Sequence, residues 1–247
     1  MFRFVADDAQ AARAWFESPV AEPWREQETA LLADVLPGLT GYRCIQIGAP
    51  TVAPEACERV GTLRLWRADV APGPDVDIRI DGQNLPWASG SVDALILVHG
   101  LELCAEPPAL IRECVRVLSP RGQLVCLVFN PLSPWAQTQG LRRAHTRFLP
   151  RSIPPRAARL ADWLRLLDFE PTDCWRYGPA FPWFGRRWQA GADSRWLAPL
   201  AWAAPAYAIV ARRRAMRRIP PSGRRLLARQ RERDLAPSPA AGLPSRS

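Results

Sequence analysis

The sequence predicts an α/β fold, a doubly wound and mostly parallel sheet with helices on both faces. Three observations carry this. Short apolar runs bounded by glycine or polar residues recur along the chain, as at Cys44–Gly48, Val92–Val98 and Leu124–Phe129. Segments between them place apolar residues at helical spacing. Strands alternating with helices imply right-handed crossovers, hence parallel neighbours buried on both faces.

The elements follow in order. Pro23 opens a helix that runs to Leu36 and stops at Pro37-Gly38, with Leu31, Leu32, Val35 and Leu36 on one face. Strands are expected at Cys44–Gly48, Leu63–Val70, Val76–Ile80 and Val92–Val98. A helix opened by Pro107-Pro108 carries Leu110, Ile111, Cys114, Val115 and Leu118 at a 3.6-residue period, and Ser119-Pro120-Arg121-Gly122 ends it. Leu124–Phe129 is the next strand. Leu160, Trp163, Leu164 and Leu167 mark a last helix, and Cys174–Tyr177 and Ala206–Ala211 complete seven strands.

Charge divides the chain. Residues 1–211 hold 22 Arg against 22 Asp and Glu, so they are neutral; residues 212–247 hold 11 Arg against Glu232 and Asp234, so they carry the whole net +9. The expected organisation is an N-terminal helical segment (1–40), a folded domain (41–211) and a disordered arginine-rich tail (212–247). The tail suits weak, salt-sensitive binding to nucleic acid or another anionic surface. It has no aromatic residue among its arginines to stack on single strands.

Six Cys show no CxxC pair and no His at zinc spacing, so structural thiols, no metal and a reducing compartment are expected. Asp7 and Asp8 fall where an export signal needs an apolar stretch, which points to the cytoplasm. The apolar run Trp196–Val210 has 15 residues and two prolines, whereas a membrane span needs about 20 apolar residues. It reads as a core segment plus a strand, and no membrane span is expected.

In an open α/β sheet, ligands bind at the carboxyl ends of strands where the strand order reverses. That rule selects the loops after Gly48, Asp69, Asp81, Val98 and Phe129. Asp69 lies 21 residues after Gly48, the spacing of a ribose-binding carboxylate, though a strand-end aspartate opening a turn reads equally well. His99, at a strand end, is either a base for a hydroxyl or amine proton or a structural histidine bonded to a loop. Asn130-Pro131 reads as a turn with an Asn cap. Trp135, Trp183 and Trp188 lie outside the regular elements, where they cover the core or line a substrate pocket.

Residues 76–129 resemble the class I S-adenosylmethionine-dependent methyltransferases, in particular the broad type-11 group that includes quinone-biosynthesis enzymes. Asp81-Gly82-Gln83-Asn84-Leu85-Pro86-Trp87 is similar to that group's third-strand acidic turn and Leu-Pro-aromatic motif, and Ser91–Leu97 to its fourth strand. His99–Glu102, Leu110–Glu113 and Val117–Gly122 continue the pattern. The resemblance implies a Rossmann-like methyltransferase fold, S-adenosyl-L-methionine as cofactor and a small-molecule methyl acceptor. It implies that Asp81 binds the adenine amino group and that Gly82 admits the ring, with Gly48 and Asp69 holding the rest of the cofactor. His99 and Glu102 would face the methyl group and the substrate as the catalytic pair.

The glycine motif after the first strand is degenerate, Ile47-Gly48-Ala49-Pro50-Thr51, and only 30 residues separate Gly48 from Ile78. A crossover helix is therefore shortened or missing. Two further readings go with these departures: a non-catalytic binding or regulatory module of the same fold, and a nucleic-acid methyltransferase that uses the tail.

Overall fold

The computed structural model describes residue 4 and residues 6–48, 64–81, 84–138, 152–178 and 203–214. Seven strands form one sheet in the order β3-β2-β1-β4-β5-β7-β6. They are β1 (Arg43–Gly48), β2 (Arg64–Asp69), β3 (Ile78–Arg79), β4 (Val92–Val98), β5 (Leu118–Phe129), β6 (Phe169–Tyr177) and β7 (Ala206–Arg213). β7 alone runs against its neighbours, antiparallel to both β5 and β6. The α/β class and the mostly parallel, doubly wound sheet are therefore as the sequence predicts.

β1, β4 and β5 form the centre. Ala94 through Val98 and Leu124 through Val128 are sealed from solvent, as strands covered on both faces must be. The order reverses between β1 and β4, whose register places Gly48 beside Val98. That pair marks the crevice where a ligand binds in such sheets.

Two long helices precede the sheet. α1 (Ala6–Glu17) starts with Asp7 and Asp8, which favour the positive helix end. Its buried stripe is Ala9, Ala12, Arg13 and Phe16, a run of i, i+3, i+4 and i+7. α2 (Glu22–Val35) buries Trp24, Glu28, Leu31, Leu32 and Val35 in the same manner and ends in a 3-10 turn over Leu36–Gly38. Each stripe thus contains one charged residue. Among the described residues, four further helices are α3 (Gly100–Leu103), α4 (Pro107–Val117), α5 (Pro134–Thr138) and α6 (Ala157–Leu166).

Several boundaries differ from the sequence reading. β5 starts directly after α4, at Leu118, and bulges outward, since Val92 pairs with Leu118 and Ala94 with Gln123. Residues 119–122 therefore belong to the strand rather than to a terminating loop. β7 extends to Arg213 because its antiparallel partner Phe169 reaches that far. β3 shrinks to two residues, and the eight residues between β2 and β3 form turns without a helix. The shortened crossover lies there. Residues 49–63 and 215–247, with Cys57 and all of the basic segment past Arg214, lie outside the described residues, as do Gly82, Trp183 and Trp188. Among the described residues, no helix is long and apolar enough to cross a membrane, and the five cysteines there are free thiols.

Candidate functional site at the carboxyl ends of the strands

Gly48 ends β1 with φ +103°, and a Cβ built there would lie 2.0 Å from the carbonyl oxygen of Val98. The next residue on that side, His99, is left-handed with φ 53°, an uncommon conformation for a residue with a side chain. Its amide donates to the Leu127 carbonyl at 3.0 Å, locking the turn from β4 into α3.

The His99 ring is fully buried between two carboxylates. Nδ1 lies 2.8 Å from Oε1 of Glu102, and Nε2 lies 2.7 Å from Oε1 of Glu28. Glu28 Oε1 also accepts from the Tyr177 hydroxyl at 3.1 Å, and Glu102 Oε1 accepts from the Phe129 amide at 2.6 Å. Burial alone would drive the imidazole pKa down, but the charges and hydrogen bonds of Glu28 and Glu102 outweigh it and push it up to about 9. At neutral pH this His is an imidazolium with both N–H groups engaged.

Aromatic rings close the cluster. Phe129 stacks on His99 at 3.9 Å and Phe16 lies tilted over it at 5.0 Å. Trp135 stacks on Phe129 at 4.7 Å and meets Trp24 at 4.9 Å. A cation set among ring faces gains from their quadrupoles, which supports the charged form of His99.

Asp69 ends β2, nearly buried. Its Oδ1 accepts from the amides of Val70 (2.7 Å) and Ala71 (3.3 Å), and Oδ2 meets Nη2 of Arg13 at 3.3 Å. Burial is the largest influence on its carboxyl and raises the pKa, while the Ala71 amide, Arg13 and the Val70 amide pull the other way. Asp69 thus caps the strand-end turn and pairs with Arg13 of α1.

Asp81 follows β3 and is exposed. The loop behind it is tied to α4 by one ion pair. Arg116 donates to the carbonyls of Leu85 and Trp87 (both 3.0 Å) and to Glu113, and Glu113 Oε2 accepts from the Leu85 amide at 3.4 Å. Glu113, the last residue of the Leu110–Glu113 segment in the resemblance, and Arg116 therefore brace this loop.

The methyltransferase domain family matches residues 52–126. The uncharacterized protein YafS of Escherichia coli is 31% identical over 186 residues, 72% of this chain and 73% of YafS. The chain belongs to the methyltransferase-domain family. A demethylmenaquinone methyltransferase of Paenarthrobacter aurescens is 36% identical over 91 residues, which are 36% of this chain and 34% of that enzyme. A SAM-dependent methyltransferase of Aquifex aeolicus shares the fold over 85% of this chain and 99% of its own, with a TM-score of 0.53 at 12% identity.

In this methyltransferase-domain protein, the site residues expected from sequence divide into two groups. Gly48, Asp69 and Asp81 stand at the ends of adjacent strands β1, β2 and β3, along one side of the switch point. His99 and Glu102 stand together under the aromatic rings, where neither reaches solvent. Asn130 forms the expected turn: its Oδ1 accepts from the Leu132 amide, and its carbonyl accepts from Ser133. Trp135 covers the core. Sequence reasoning missed Glu28, Tyr177 and Arg13. The first and last had a visible signal, a charged residue inside an otherwise apolar helical stripe.

The residues present fit a nucleoside cofactor. Asp69 keeps an open lone pair on Oδ2, and the buried Nε and Nη1 of Arg13 beside it have no hydrogen-bond partner. Such orphaned donors call for an oxygen acceptor.

Proposed function

We propose that this chain is an S-adenosylmethionine-dependent methyltransferase acting on a small molecule. The observation that carries this is the pair Asp69 and Asp81, at the carboxyl end of β2 and just past that of β3, beside the strand-order reversal at Gly48. Asp69 would hold the ribose hydroxyls and Asp81 the adenine amino group, with Gly82 following it in the loop. The cofactor supplies an electrophilic methyl group on a sulfonium.

Methyl transfer is a one-step displacement. The acceptor's lone pair forms the new bond as the carbon–sulfur bond breaks, and the acceptor's proton leaves. Alignment can supply much of the acceleration. His99 and Glu102 serve that end as positioning residues, because His99 is protonated and held at both nitrogens. It becomes a base only if Glu28 releases Nε2. A small aromatic acceptor is in keeping with the demethylmenaquinone methyltransferase relative. A small acceptor also suits the neutral charge of residues 1–211 better than a polyanion does.

Calorimetric titration with S-adenosylmethionine tests the reading. The wild type should bind, and Asp81→Ala should bind at least about tenfold more weakly while remaining equally stable, since Asp81 is exposed. A folded wild type that gives no heat at millimolar cofactor would overturn the proposal.

A further inference from the structure

We infer that Arg13, on the N-terminal helix, is a cofactor-binding residue: it completes the ribose site that Asp69 begins, so that α1 closes over the nucleoside. This rests on the reading above and adds a residue, and a helix, to it.

The Arg13 side chain is 8% exposed and pairs with Asp69 through a single contact of 3.3 Å. Charge-assisted bonds of this kind are normally about 2.7–2.9 Å and often bidentate. Nε and Nη1 have no partner, although both are buried. A buried guanidinium held by one long contact is costly, because the desolvation of its other donors goes uncompensated.

The loop after β2 is nevertheless shaped around it. A Cβ at Gly73 would lie 1.9 Å from Nη1, so the guanidinium packs closely against this loop. The guanidinium is enclosed here with two donor nitrogens to spare.

A vicinal diol meets both needs at once. Its hydroxyls donate to the open lone pair of Asp69 Oδ2 and accept from the spare N–H groups of Arg13. A carboxylate alone reads only the donors of a diol; the carboxylate–guanidinium pair reads donors and acceptors together. One turn further along α1, Phe16 lies over His99, so the helix that touches the ribose end also covers the methyl end.

The test is calorimetry with two probes, S-adenosylhomocysteine and its 2′,3′-dideoxy analogue, on wild type, Arg13→Met and Arg13→Lys. Arg13→Met should lose at least about tenfold in affinity for S-adenosylhomocysteine and should bind the dideoxy analogue as the wild type does. Arg13→Lys should lose less. Equal losses for both probes would make Arg13 merely structural and overturn the inference. Tighter binding by Arg13→Met would also overturn it, showing that Arg13 obstructs the site. If Arg13→Met does not fold, the Arg13→Lys comparison across the two probes decides in the same way. A folded wild type that binds neither probe would refute the cofactor reading itself; a wild type that binds, with variants that match it, would refute only the role of Arg13.

Discussion

Glu28 and His99 are 71 residues apart in sequence, yet Oε1 of one lies 2.7 Å from Nε2 of the other in a fully buried contact. It ties α2 to the turn after β4, with Glu102 on the far side of the ring and Tyr177 on the same Glu28 oxygen. The folded protein therefore binds the His99 proton more tightly than the unfolded chain does. Stability from this source is fully present below pH 6.5 and is lost as pH rises through about 9. Unfolding in urea at pH 6 and pH 9.5 should differ by roughly 3 kcal/mol in favour of the lower pH. A flat profile across that window would show that folding leaves the His99 pKa unshifted, and stability that rises with pH would show that His99 is neutral in the fold.

Removing Glu28 isolates the charge from the packing. Glu28→Ala strands one N–H of a buried imidazolium and the Tyr177 hydroxyl, and should cost about 3 kcal/mol. Glu28→Gln keeps an acceptor for Tyr177 but removes the charge, and should cost about 1 kcal/mol. Its signature is elsewhere: the His99 pKa should fall, as followed by imidazole proton shifts. If the two variants lose the same stability and leave that pKa unmoved, Glu102 alone holds the proton.

The strands at the centre were legible because burial on both faces leaves continuous apolar runs, as in Val92–Val98. The strand ends were legible too, since polar residues and glycine interrupt those runs at the crevice. What escaped was long-range pairing of charges. Arg13 and Glu28 each occupy a stripe position where an apolar residue is expected, and a stripe shows which face is buried but not what meets it. Asp69 and His99 lie 56 and 71 residues further on. The bulge at 119–122 escaped for a related reason: Pro120 and Gly122 terminate a helix locally, while the register of β4 decides that the same residues join a strand.

The brace between α4 and the acidic loop leads to a third prediction. Arg116→Ala removes the donors to Leu85 and Trp87 and leaves Glu113 alone at the Leu85 amide. Arg116 is partly exposed, so the global cost should be small, about 1 kcal/mol. Cofactor affinity should fall more than stability, because the loop carrying Asp81 is no longer held in place. Thermal unfolding and calorimetry on the same sample separate the two effects. Unchanged affinity would mean that the loop holds its shape without Arg116.

Gly48 separates two reasons for a glycine at the end of β1. If it is there to let a ligand approach the backbone, Gly48→Ala keeps its stability and loses only affinity. The structure favours the other reason. The added Cβ would sit 2.0 Å from the Val98 carbonyl oxygen, a backbone atom in the paired strand, at a φ of +103° that side-chain residues rarely adopt. Val98 cannot retreat, because the following amide of His99 is bonded to Leu127 and its ring to two carboxylates. Gly48→Ala should therefore destabilise the fold by at least about 3 kcal/mol, with or without cofactor. Denaturant unfolding measures this directly, and a variant within about 1 kcal/mol of wild type would restore the ligand-approach explanation.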